Sequence, residues 1–183
     1  MGLDMYVFRF TPAEIDRSKV YTYDEIQDMG YDLYDGQYIN EPWMKEMMKV
    51  SKPYEVMTTY WDLDKIQKEF GLSKKPDWCG FSPGVNHFST DKGVIDIKTS
   101  EAPRFTAKKI NTFWVCKKQQ VAYWRERDDI REAIFRYIGK KVENVGYYKI
   151  TPRVIARIAE MGIEGFNLDF VTNQNNLYYH EWY

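Results

Sequence analysis

Four side chains of metal-ligating or nucleophilic type are scattered along this 183-residue chain: Cys79, His87, Cys116 and His180. Together they have the composition of a Cys2His2 zinc site. With 7, 28 and 63 residues between successive members, they lack the close cysteine pair that structural zinc uses. Cys79 with His87 has the residue types of a nucleophile and its base, but a free, packed cysteine is the ordinary role for such a thiol. Asp28, Asp32 and Asp35-Gly36 do not fall at the alternate positions of a calcium loop. There is no P-loop, dinucleotide glycine pattern, H-E-x-x-H or G-x-S-x-G. The chain therefore reads as non-enzymatic, with no catalytic residue, metal ligand or cofactor assigned. A small hydrolase or metal enzyme, built from converging members of its 27 acids, is the second alternative to the binding readings below.

The other chemistry-bearing residues are sorted by charge. No basic residue stands between Lys19 and Lys45, where Asp24, Glu25, Asp28, Asp32, Asp35 and Glu41 are interleaved with Tyr21, Tyr23, Tyr31, Tyr34 and Tyr38. No acid stands between Glu101 and Glu126, where Arg104, Lys108, Lys109, Lys117, Lys118 and Arg125 accompany Phe105, Phe113, Trp114, Tyr123 and Trp124. The blocks cancel in a net charge of −1, which by itself hides them. In the plainest reading, both are solvated faces. A second gives Asp24, Glu25, Asp28, Tyr31, Asp32, Tyr34, Asp35 and Tyr38 to a basic partner, since tyrosine adds contact area and a polar tip at small entropic cost. A third makes Arg104, Lys108, Lys109, Lys117, Lys118, Trp124, Lys140 and Lys141 a surface that tracks phosphates and stacks the bases of DNA or RNA. The block pattern also allows two copies to pair as a homodimer through opposite charges.

The elements that must position these residues follow from local signals. Hydrophobic residues at 44% and charged residues at 29% are those of an ordinary globular domain, and aromatics at 17% imply a core of large side chains. No apolar run approaches the length of a membrane span, the opening residues lack a basic secretory leader, and Tyr6 stands where myristoylation wants Ser or Thr. Two cysteines do not make a disulfide scaffold, so a reducing cytoplasm is expected. Residues 3–10 alternate as a strand, and Thr11-Pro12-Ala13-Glu14 has the order of a helix start. Thr22 with Glu25 starts a second short helix that Gly30 ends, and Asn40-Glu41-Pro42 starts a third. A strand over 54–61, a helix from Asp62 to Gly71 and a long loop over 72–91 follow. Strands are expected at 93–98, 104–109 and 111–118. The longest helix is expected over 120–138, where Arg125–Asp129 and Glu132–Arg136 pair at i,i+4 and make the arginines a self-neutralised face. Beyond it come a strand at 146–150, a helix from Thr151-Pro152 to Gly162, and strands near 165–171 and 176–182. Strands and helices do not alternate as βαβ units. The expectation is one compact α+β domain, residues 1–183, with a mixed or antiparallel sheet, several short helices and one longer helix.

The opening Met-Gly-Leu-Asp-Met-Tyr, the segment Val121-Ala122-Tyr123-Trp124-Arg125 and the strand and helix of residues 147–161 resemble a family of small proteins of bacteriophages and bacterial genomes. In that family the Tyr-Trp-Arg segment continues with Asn and then Ile-His. Here Asp128 and Ile130-Arg131 hold those places. The resemblance implies a mobile-element setting inside a bacterial host cell. Accessory proteins of that setting commonly bind a host macromolecule, and inhibitors of CRISPR effector nucleases are a prominent class. Such an effector, a ribonucleoprotein with a basic channel, is a target that the acidic tyrosine stretch could engage.

Overall fold

Strand β1, Asp4–Pro12, places Met5 and Val7 on one face and Phe8 and Phe10 on the other, all of them buried. A strand apolar on both faces must lie inside a covered sheet, and β1 does. The structure is a computed structural model that describes residues 2–139, 146–166 and 174–182. Among these residues are ten strands and six α-helices, and the fold is α+β, with a mixed sheet and a separate antiparallel one. The chain divides into two compact units, residues 1–56 with 111–183, and residues 57–110. No helix among the described residues is long and apolar enough to cross a membrane.

In the first unit, β1 lies between β8, Thr106–Arg125, and β10, Leu177–Trp182, antiparallel to both. The strand order is β2 (Tyr21–Thr22), β4 (Lys52–Trp61), β8, β1, β10 and β9 (Tyr148–Ile150), and β3 (Asp32–Asp35) also pairs with β8. One face packs on α5, Asp128–Ile138, and α6, Pro152–Glu160, through Met5, Val7, Leu177, Tyr179, Ile130, Ile134, Ile155 and Ile158. The other packs on α2, Pro42–Lys49, through Phe8, Phe10, Tyr178, Met44 and Met47. Each such side chain contributes about 1.5–3 kcal/mol on burial. Beyond β8, Ile26 of α1, Tyr23–Asp28, joins Tyr54, Val56, Phe113 and Val115 in a third cluster. In the second unit, α3 (Leu63–Glu69) and α4 (Ala102–Phe105) place Ile66 and Phe105 against Phe88 and Ile97. Those two come from β6 (Val85–Thr90) and β7 (Gly93–Lys98) of the three-stranded sheet β5–β6–β7, in which β5 is Asp77–Ser82.

Several expectations change. The helix expected over 120–138 begins only at Asp128. Residues 120–125 instead continue β8, because β1 offers them a ladder from Phe8↔Gln120 to Asp4↔Arg125, with one register shift between Val7 and Phe8. Tyr123-Trp124-Arg125 is thus strand, the Arg125–Asp129 helical pair does not form, and the two strands expected at 104–109 and 111–118 are one, with Arg104 outside it on α4. The Thr11-Pro12 helix start is overridden in the same way: β1 runs through Pro12, and the Ala13 N–H donates to the Val115 carbonyl at 3.3 Å. The loop expected over 72–91 holds the hairpin β5–β6, whose turn is Pro83-Gly84 with Gly84 at φ +80°. Proline preset at the first central position and glycine in the left-handed region at the second make a tight turn. Finally, β3 lies within the acidic stretch, where no strand is expected. The strand expected over 165–171 falls from residue 167 onward outside the described residues, and Gly165 lies in a turn.

Candidate functional site

The acidic segment starts at a closed capping box. Thr22 donates its N–H (2.7 Å) and its hydroxyl (3.0 Å) to Glu25 Oε2, and Thr22 Oγ1 accepts from the Glu25 N–H at 3.2 Å. The hydrogen bonds from the Thr22 backbone and then its hydroxyl hold the Glu25 carboxyl below its ordinary range. Asp24 and Asp28 stand one helical turn apart on α1, both exposed, and neither has an ion pair among the described residues. Like charges at i,i+4 repel, Asp28 lies at the negative end of the helix, and no basic residue occupies its last turn.

Past Gly30, whose φ of +84° turns the chain out of α1, the acids become structural. Asp32 faces Lys118 at 3.5 Å, and Asp35 Oδ1 accepts the Gln37 N–H at 2.9 Å to cap the 3-10 turn of residues 36–38. Tyr31 packs against the Ile26 cluster. Tyr34 sits among Phe10, Trp43 and Tyr147 at ring distances of 6.4, 6.3 and 5.9 Å, and burial pushes its phenol far above the usual range. Tyr38 leans on Trp43 at 5.8 Å and stays 46% exposed, followed by Ile39 at 40%. Of the eight residues proposed for a basic partner, Asp24 and Asp28 keep an uncommitted exposed side chain, and Tyr38 stays exposed beside Trp43. Glu25, Asp32 and Asp35 are exposed or half-exposed but already bonded, while Tyr31 and Tyr34 are partly buried against the core clusters.

The basic stretch does not assemble as sequence suggests. Trp124 is only 8% exposed, stacks on Phe166 at 5.7 Å and donates Nε1–H to the Gly165 carbonyl at 2.8 Å, so no base can stack on it. It is a core residue because the β8 pleat turns it toward α5 and α6. Arg104 is taken by Glu69 at 2.5 Å and by the Phe105 ring. Lys118 lies over the Phe8 ring at 4.9 Å beside Asp32. Lys117 and Lys118, as neighbours on a strand, point to opposite faces, and so do Lys108 and Lys109. Lys140 and Lys141 lie outside the described residues.

No family model matches the chain, and none of the curated proteins or solved structures compared with it does either.

Of the residues first considered for chemistry, Cys79 is a free thiol that lies exposed on β5 rather than packed, and the others are separately engaged. Cys116 is buried, and burial pushes its thiol up to about 12, which leaves it inert at neutral pH. His180 is 8% exposed, bonds Gly146 O through Nδ1 at 2.9 Å and stacks on Tyr147 at 4.6 Å. Nδ1 is therefore the protonated nitrogen. No group of three or more His, Cys, Asp or Glu side chains among the described residues is placed to hold a metal ion. His87 behaves differently. Its Nε2 lies 2.6 Å from Ser82 Oγ and its Nδ1 lies 2.7 Å from Asp96 Oδ1. Sequence inspection passes over this trio, because its members come from three strands and no spacing rule joins positions 82, 87 and 96. The only available signal is that each is a polar residue within a run of strand formers.

Proposed function

We propose that this protein binds and inhibits a host nucleic-acid-handling protein, of the anti-CRISPR type, by presenting negative charge to that partner's basic channel. The observation that carries this reading is the pair Asp24 and Asp28: exposed, one turn apart on α1, and uncompensated among the described residues. Glu25 and Asp35 cap turns and Asp32 meets a lysine, whereas Asp24 and Asp28 hold negative charge at a local cost to the helix. Exposed Tyr38 and Ile39 add apolar contact area to the same segment. The likeness of the first six residues and the Tyr-Trp-Arg segment to phage proteins supports the mobile-element setting and a bacterial cytoplasm.

The nucleic-acid reading loses support from the burial of Trp124 and the ion pair of Arg104. The test is a pull-down of the purified chain against CRISPR effector ribonucleoproteins, with Asp24→Lys/Asp28→Lys as comparison. Capture and nuclease inhibition by the wild type, both lost in the variant at unchanged folding, is the expected result. Equal capture by the variant, or no capture of any effector, would end the proposal.

A further inference from the structure

The three-stranded sheet of the second unit has a covered face and an open one. Phe88 and Ile97 point into the core from β6 and β7. The alternate residues His87 and Asp96 therefore point to the opposite face, and they are direct cross-strand partners. On β5, Gly80 is the partner of His87, so Ser82, two residues on, shares that face and lies diagonal to the imidazole. The sheet register thus brings Ser82, His87 and Asp96 together, with no contribution from a loop.

For a neutral imidazole the hydrogen-bond order has one consistent assignment. A carboxylate accepts only, so His87 donates Nδ1–H to Asp96 Oδ1 at 2.7 Å. The neutral ring then has a bare Nε2, which accepts the Ser82 hydroxyl at 2.6 Å. This is the nucleophile, base and orienting acid arrangement that recurs on unrelated folds and is recognised by geometry rather than by sequence position. Ser82 is exposed and the His87 side chain keeps 28% of its surface open. Opposite His87 stands a glycine: a Cβ added at Gly80 would meet nothing within 4 Å, so the flank of the imidazole is open to an incoming molecule. Lys98, two residues beyond Asp96 on β7, puts a cationic side chain on the same face.

We propose that Ser82, His87 and Asp96 form a nucleophilic serine centre that accepts acyl groups from small, unhindered esters. Ser82 Oγ attacks the ester carbonyl carbon while its proton passes to His87 Nε2. The carbon–oxygen bond to the leaving alcohol then breaks, and His87 returns the proton to that alcohol. Water, deprotonated by the same nitrogen, next attacks the acyl-serine, releasing the carboxylic acid and restoring the hydroxyl. No oxidant or co-reactant is needed. The open setting suits small acyl groups, and the 61% exposed Asp96 side chain orients the ring against competition from water.

The centre is independent of the acidic segment, so either proposal can fail alone. The test treats the full chain with a fluorophosphonate probe and, separately, with p-nitrophenyl acetate. One label per chain, mapped to the Ser82 peptide by mass spectrometry, is expected. Hydrolysis should fall about 10²-fold in Ser82→Ala and in His87→Gln, with added imidazole restoring part of the His87→Gln rate. Absence of label on Ser82 in the wild type overturns the proposal whatever the folding state of any variant. Hydrolysis by folded Ser82→Ala equal to wild type overturns it as well.

Discussion

Arg131 of α5 grips the carboxylate of Glu181 in a two-pronged ion pair, Nε to Oε1 at 2.7 Å and Nη2 to Oε2 at 3.0 Å. Glu181 is fully buried and also accepts the Tyr179 hydroxyl at 2.7 Å. Arg131 is thus an anchor that ties α5 to β10. Removing one partner leaves a charge stranded in the core, which costs about 3–5 kcal/mol. Arg131→Met should lower stability by that amount in urea titrations. The double variant Arg131→Met/Glu181→Met should recover most of the loss. Equal destabilisation by single and double variants would mean that packing, rather than charge pairing, is what matters there.

Trp124 provides a second test, separating core from surface. Trp124→Phe keeps a ring on Phe166 but loses the bond to the Gly165 carbonyl, and should cost about 1 kcal/mol. Trp124→Ala should cost about 3–5 kcal/mol. Neither change should alter retention on single-stranded DNA at low salt. A loss of retention with stability intact would restore the stacking role.

The buried imidazole of His180 predicts a pH dependence. Burial, the largest influence, lowers its proton affinity below the ordinary value of 6.5, against the smaller opposing effect of its bond to Gly146. The unfolded chain therefore takes up a proton before the folded one does. This contribution to stability is complete above about pH 6.5 and is lost as pH falls from there toward the folded value. His180→Phe, which keeps a ring against Tyr147, should show a smaller fall in thermal midpoint between pH 7.5 and pH 5.5 than wild type. An equal fall in both proteins would assign the acid sensitivity to other groups.

Charge on α1 gives a fourth expectation. Asp28→Lys replaces an unfavourable charge at the helix C-terminus with a favourable one. The thermal midpoint should rise slightly while partner capture falls. A lower midpoint would show that Asp28 has a structural partner.

Local signals in the sequence were reliable where they were self-contained. The Thr22–Glu25 box, the Asp62 cap accepting from Lys65 at 3.0 Å, and Thr151 capping Val154 at 3.3 Å all form as their residue types require. They failed where a distant strand competed. Residues 120–125 have helical-looking periodicity, but β1 supplies hydrogen bonds that no local pattern announces. Gly80, Pro83 and Gly84 read as loop punctuation, although two of them are the turn that lets β5 and β6 pair. The acidic segment was visible as composition, but which acids are engaged was not. Asp32 needs Lys118, and that residue is remote in sequence. Ser82 and Asp96 acquire chemical meaning only through the strand register around His87.

The pairing of β1 with β10 has a consequence for how the chain becomes structured. β1 finds one of its two neighbours only in the distant β10, so the central ladder closes only after residues 177–182 have been made. Contacts so distant along the chain make ordering slow and leave Phe8, Phe10 and Met5 without their cover during synthesis. A nascent chain paused before residue 177 would present the edge of β1 to whatever lies nearby. Translation speed over residues 177–182, and the chaperones that meet the chain there, should then influence yield.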